Sequence, residues 1–224
     1  LINNKEMILH VYEAAKRSNT GEVYVATPDQ KIINLVKNSG GNVVATSSNH
    51  QTGTDRIFEV FKNELNSEPD IIINLQGDMP NIDAQSITNL VSYMKEGKCD
   101  IGTLASTFSS QSEFEDENNV KVAVNEKPAI NNFVEATDFF RTPLKNYKNF
   151  YHHIGIYAFT NKALVRYVSL KRSNLELERK LEQLRAFENN MSIHVGYISS
   201  SPLSIDTEKD LIEVKKIMEN NDQS

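Results

Sequence analysis

Between residues 22 and 75, short apolar runs rich in β-branched side chains alternate with amphipathic segments, and few folds tolerate that order. Residues 22–27 and 42–46 read as strands. Residues 29–38 between them read as a helix that stops at Gly40-Gly41. Residues 54–65 turn Ile57, Phe58, Phe61 and Leu65 to one side of a further helix. Then Ile71-Ile-Ile-Asn-Leu75 is almost wholly apolar, the pattern of a strand covered on both faces. Strands separated by helices of this length predict an α/β fold with a doubly wound, mainly parallel sheet.

Such a sheet opens with a strand, whereas this sequence opens on a helix whose face carries Met7, Ile8, Val11, Tyr12 and Ala15. A first strand and the phosphate-binding loop after it are therefore expected upstream of Leu1. Farther along, residues 84–96 read as a helix and 101–105 as a strand. An acidic loop is expected at 111–119, and strands at 120–124, 153–159 and 193–198. A long helix is expected at 173–189, with Leu177, Leu181 and Leu184 as its buried stripe, and a closing helix at 206–218. The chain reads as a single domain, 1–224, in which about 110–170 form a small antiparallel insertion.

Composition narrows the function. The formal charge is −6, the opposite of the balance in a general nucleic-acid binder. No apolar run approaches the length of a membrane span, and no signal peptide is visible in the residues given. A lone cysteine, Cys99, fits a reducing cytosol.

Some segments carry residues suited to chemistry, and each also has a plain structural reading. Gln76-Gly-Asp-Met-Pro80 follows the most apolar strand, where open α/β sheets bind ligands. Asp78 there offers a hard oxygen to Mg²⁺, though Gly, Asp and Pro are also ordinary turn residues. His50-Gln-Thr-Gly-Thr-Asp-Arg56 lies between strand and helix. Thr52 or Thr54 can cap that helix, while Arg56 in its first turn is unfavourable for the helix dipole and suits a base or phosphate. Period two puts His153, Gly155, Tyr157 and Phe159 on one strand face, a floor for a polar ligand or a partly exposed surface. Glu182 and Gln183 flank an apolar stripe and need partners or solvent. Thr207-x-x-Asp210 has the form of a capping box, so Asp206 is either a helix cap or a second metal carboxylate.

Taken in order, these segments resemble the 3-deoxy-manno-octulosonate (KDO) cytidylyltransferase family, the CMP-KDO synthetases. The resemblance spans nearly the whole chain. Its motifs are Gln76-Gly-Asp78, His153-Ile-Gly-Ile-Tyr157, Leu181-Glu-Gln-Leu-Arg185 and Asp206-Thr-Glu-Lys-Asp-Leu211, supported by Lys5 to Val11, His50 to Arg56 and Asn119-Val-Lys-Val122. It implies a Rossmann-like nucleotidyltransferase fold and transfer of CMP from CTP to KDO for lipopolysaccharide biosynthesis. It further implies Mg²⁺ on Asp78 and Asp206 as the catalytic centre. Thr54, Arg56 and Gln76 would line the nucleotide side, and His153, Tyr157, Glu182 and Gln183 the sugar-acid side. A cytoplasmic homodimer joined through the insertion is implied as well, with no nucleic-acid or membrane partner. No general base is assigned.

The sequence departs from the family at three places. The family's basic N-terminal loop, which grips the triphosphate, is absent, so the chain as it stands is not expected to turn over. Met79 stands where the family carries Glu. Phe133 to Pro143 matches the family's Phe-Ser-Arg-x-x-Ile-Pro poorly, which bears on sugar selectivity or dimer packing. Two alternatives stay open at this point: a cytidylyltransferase for amino-KDO or a sialic acid, and a catalytically dead nucleotide-binding protein of the same fold.

Overall fold

The structure, a computed structural model, describes residues 1–130, 132–142, 149–205 and 207–221. Pro143 and Asp206 lie outside them. The element order is α1 (Met7–Arg17), β1 (Val25–Thr27), α2 (Gln30–Asn38), β2 (Val43–Ala45), α3 (Gly53–Asn63), β3 (Ile71–Leu75), α4 (Ala84–Met94), β4 (Ile101–Ser106), α5 (Gln111–Glu115), β5 (Lys121–Val124), β6 (Val134–Phe140), β7 (Phe150–Thr160), α6 (Asn161–Ser169), α7 (Asn174–Arg179), α8 (Leu184–Glu188), β8 (Ile193–Tyr197) and α9 (Glu208–Asn221). No helix among the described residues is long and apolar enough to cross a membrane.

The chain divides into two compact units. The first comprises Leu1–His50, Gln76–Thr88 and Pro202–Ser224. Here β1 and β2 pair in parallel, Val25 opposite Val43 and Thr27 opposite Ala45, with α2 as the crossover. The Asp29 carboxylate caps α2 by accepting from the Lys31 amide at 2.7 Å. The helix stops at Gly40, whose φ of +72° only a residue without Cβ adopts at no cost. Val11 and Ala14 of α1 and Ile33 and Val36 of α2 are buried.

The second unit comprises Gln51–Leu75 and Asn89–Ser201 and holds a six-stranded sheet in the order β3-β7-β4-β8-β6-β5. Strands β3, β4, β5 and β8 run one way, and β6 and β7 run against them. The expected common direction is present, and the opposed strands come from the segment read as an antiparallel insertion. Strand β7 binds β4 along one edge. Its other edge holds β3 at residues 156–160 and β5 at residues 150–152. The pairings β7-β4-β8-β6-β5 thus close on themselves, around a core that includes Val122, Phe139, Tyr157, Ile193 and Val195.

The structure corrects the sequence reading at several points. Strand β3 is less buried than expected: it pairs with β7 alone among the described residues, and of its side chains only that of Asn74 is buried. The acidic loop contains a helix, α5, capped by Ser110. This segment folds around the buried Lys121, whose ammonium donates to the Asp116 and Asn119 carbonyls, both at 2.7 Å, and lies over the rings of Phe108 and Phe114. The expected long helix at 173–189 is broken. Lys180 takes a left-handed conformation (φ +54°, ψ +45°) that ends α7, and the chain turns before α8. Leu177 is consequently 52% exposed, while Leu181 and Leu184 stay buried.

Close packing inside the second unit yields a direct stability test. A Cβ on Gly196 of β8 would stand 2.3 Å from the Phe133 ring, which is itself stacked on Tyr93 with centroids 4.1 Å apart. Relief of the clash requires the Phe133 ring to shift against Tyr93. Gly196→Ala is expected to cost about 1–3 kcal/mol through overpacking, read as a lowered urea midpoint. An unchanged midpoint would mean that the aromatic pair moves freely.

Candidate active site

In the first unit, Gln76 is exposed and Asp78 half-buried, immediately beyond the end of β3. The Asp78 carbonyl accepts from the Ile205 amide at 3.0 Å. The Asn81 side chain accepts from the Leu203 amide at 3.0 Å. These bonds hold the segment ending at Ile205 against the Asp78 turn. Beyond it the capping box is present, with Asp replacing Glu. The Asp210 amide donates to the Thr207 hydroxyl at 3.3 Å, and the Thr207 amide donates to the Asp210 carboxylate at 2.8 Å. Thr207 therefore caps α9, while Asp206 lies outside the described residues. Among the described residues no group of three or more His, Cys, Asp or Glu side chains is placed to hold a metal. A magnesium ion held by one or two carboxylates, with phosphate oxygens and water completing its shell, does not need such a group.

In the second unit, Thr52 caps α3, accepting from the Asp55 amide at 3.1 Å. Arg56 is half-buried in the first turn. Thr54 points the other way. It is 0% exposed, and its hydroxyl donates to the Glu182 carboxylate and receives a weak bond from Asn74 Nδ2 at 3.4 Å. Thr54, read as a nucleotide-side residue, is thus bonded to Glu182, which was read as lying on the sugar-acid side. Burial raises the Glu182 carboxyl above its ordinary range, against the opposing hydrogen bonds from Thr54 and Thr52. The Glu182 carbonyl accepts from the Tyr167 hydroxyl at 2.7 Å.

His153 and Tyr157 share one face of β7, as period two predicts, with ring centroids 5.4 Å apart. A bulge separates them: Thr103 pairs with Tyr157 and Leu104 with Ile154, which leaves Gly155 and Ile156 without a Cα partner on β4. The Thr103 hydroxyl fills the gap. It donates to the Ile156 carbonyl at 2.7 Å and lies 2.9 Å from His153 Nε2. The Ile154 carbonyl lies 3.2 Å from the same hydroxyl, so Thr103 ties the ring to the bulged backbone. Burial, reinforced by the neighbouring His152, drives the His153 pKa down to about 3, and the ring is neutral near pH 7. The Tyr157 hydroxyl is pushed up by burial and by the nearby Glu182. Gln183, also buried, opens α8 without capping it.

The second unit therefore gathers Glu182, Tyr157 and His153, with Gln183 next to Glu182 in the chain. This is a set of neutral or accepting groups around a half-buried carboxylate, suited to a hydroxyl-rich ligand. Sequence reasoning missed Tyr167 and Thr103. Neither belongs to a motif, and only their non-local partners reveal them.

The sequence pattern of the cytidylyltransferase family matches residues 1–193. The chain is 39% identical over 225 residues to 3-deoxy-manno-octulosonate cytidylyltransferase of Bartonella tribocorum, covering 97% of this chain and 89% of that protein. It is 36% identical over 222 residues to the protein of that name from Rickettsia canadensis, covering 98% and 88%. A solved structure of CMP:2-keto-3-deoxy-manno-octonic acid synthetase complexed with CTP superposes with a TM-score of 0.88 at 32% identity, over 99% of this chain and 90% of that one. A 4-diphosphocytidyl-2C-methyl-D-erythritol synthase from Anaerococcus prevotii, 15% identical with a TM-score of 0.65 over 98% and 91%, shares the fold. The chain belongs to the cytidylyltransferase family, among the 3-deoxy-manno-octulosonate cytidylyltransferases.

Proposed function

We propose that this protein transfers CMP from CTP to the anomeric hydroxyl of KDO, releasing pyrophosphate. The observation that carries the reading is the grouping of Glu182, Tyr157 and His153 on β7 and the turn before α8, in a chain that matches a CTP-bound synthetase over nearly its whole length. The hydroxyl oxygen attacks the α-phosphorus and forms the new P–O bond. The bond to the β-phosphate breaks in line, and the hydroxyl proton leaves to solvent or phosphate. Positioning and charge neutralisation carry most of the barrier reduction.

Glu182, Tyr157, Gln183 and the neutral His153 hold the sugar acid through its hydroxyls. Arg56 and Gln76 serve the nucleotide. Asp78 and Asp206 would hold Mg²⁺, which when bound neutralises phosphate charge and acidifies a hydroxyl. The fit rests on hard carboxylate donors and on the backbone bond from Ile205 to Asp78. The protein acts as a cytoplasmic homodimer joined through residues 110–170, and supplies activated sugar acid for lipopolysaccharide.

Separate titrations with KDO and CTP test the division of labour. Gln183→Ala is expected to weaken KDO binding by roughly threefold to a hundredfold, one lost hydrogen bond, and to leave CTP affinity nearly intact. A fall in CTP affinity without a fall in KDO affinity would sink the reading.

A further inference from the structure

The break between α7 and α8 is built around one carboxylate. Glu176 is 0% exposed and Arg185 3% exposed. Arg185 grips Glu176 with two bonds, Nε to Oε2 at 2.8 Å and Nη2 to Oε1 at 2.7 Å. Arg172 Nε donates to Oε1 at 2.8 Å, and the Ser173 amide donates to Oε2 at 3.2 Å, completing a capping box. The main-chain carbonyl of Glu176 accepts from the Lys180 amide and, at 3.3 Å, from the Leu181 amide. One residue thus anchors both ends of the turn that carries Glu182 and Gln183. Arg185 also lies over the Tyr167 ring, 4.7 Å from its centroid, and the hydroxyl of that ring holds the Glu182 carbonyl.

A buried ion pair is a poor route to stability, because desolvating both charges offsets most of their attraction. An apolar pair of the same volume would serve packing as well. It would not fix a left-handed lysine, a conformation that a side chain with a Cβ seldom adopts. We propose that the Glu176–Arg185 ion pair is a positioning device for the sugar-acid site. It locks the turn at Lys180 so that Glu182 and Gln183 are presented to the substrate, and it sets affinity for the sugar acid without touching it. The proposal rests on the reading of Glu182 and Gln183 as sugar-side groups. Burial alone would raise the Glu176 carboxyl, but the Arg185 and Arg172 bonds outweigh it and hold the carboxyl below its usual range, so the pair stays charged near pH 7.

The test measures KM for KDO and KM for CTP separately in the full-length protein. Arg185→Lys keeps the charge and loses the two-pronged grip. Tyr167→Phe keeps the ring under Arg185 and removes only the bond to the Glu182 carbonyl. Arg185→Lys is expected to raise the KDO KM by about tenfold or more, and Tyr167→Phe by about threefold. The CTP KM should stay within twofold in both. A merely structural role would lower the active fraction and leave both KM values unchanged, or shift both together, and either result overturns the proposal. Should Arg185→Lys fail to fold, Tyr167→Phe decides by the same split. Gln183→Ala separates the two levels. If it raises the KDO KM while Arg185→Lys and Tyr167→Phe do not, the positioning proposal alone fails. If Gln183→Ala itself leaves the KDO KM unchanged, the sugar-side reading fails and this proposal fails with it.

Discussion

Replacing Asp78 by Asn in the full-length protein is expected to lower turnover by about 10²–10⁴-fold, the several kcal/mol that a Lewis-acid metal contributes to a phosphoryl transition state. The substitution keeps the size of the side chain and removes the charge. CTP affinity measured in the presence of a chelator should change little, because the loss concerns the metal and not the base. The rise in thermal midpoint that Mg²⁺ produces with CTP should also shrink, which reads the metal without reference to activity. Asp206→Asn should behave alike. Thr207 and Asp210 already supply the reciprocal bonds at the start of α9, so that variant is not expected to show the 0.5–2 kcal/mol loss of a removed cap. Turnover within a few-fold of normal in Asp78→Asn would remove the metal assignment.

Acid stability should depend strongly on His153. The ring takes a proton near pH 6.5 when exposed, and in the fold only near pH 3, because burial disfavours the charged form and His152 stands close. The groups around it are the Thr103 hydroxyl and the rings of Phe139 and Tyr157. Between those two pH values the unfolded chain binds the extra proton. The contribution is fully present above pH 6.5 and is lost as pH falls toward 3, at about 1.4 kcal/mol per pH unit. From pH 6.5 to 4.5 His153 alone should account for about 2–3 kcal/mol. Urea midpoints across this range for the natural protein and for His153→Gln isolate the term, since the carboxylates contribute to both curves. Parallel curves would show that the folded ring titrates normally. The neutral ring also means that His153 brings no positive charge to the carboxylate of the sugar acid.

Local signals in the sequence translated directly into structure. The stop at Gly40-Gly41, a threonine cap on α3, the Thr207 to Asp210 box and the strand at 71–75 all appear where the residues place them. Each depends on neighbours within four positions, which is the reach of helix capping and of strand alternation. The shared face of His153 and Tyr157 was legible for the same reason. It survives the bulge at Gly155 and Ile156 because that bulge leaves out two residues and preserves the alternation.

Other features were decided at longer range. Thr54 and Glu182 are 128 positions apart, and no periodicity connects them. Helical spacing at 173–189 fitted a continuous helix, whereas in the structure Lys180 turns the chain and Glu176 bonds to Arg185, nine positions away across that turn. Lys121 read as an ordinary strand residue, yet it organises the acidic segment from within. By itself the amino-acid sequence determined the α/β class, the caps of α3 and α9 and the identity of the polar groups, because backbone propensity and local hydrogen bonding act over a few residues. Only the tertiary structure decided which way Thr54 points, where the long helix breaks and that the His153 ring is buried and neutral, because each depends on partners that the chain brings close only once its strands have paired.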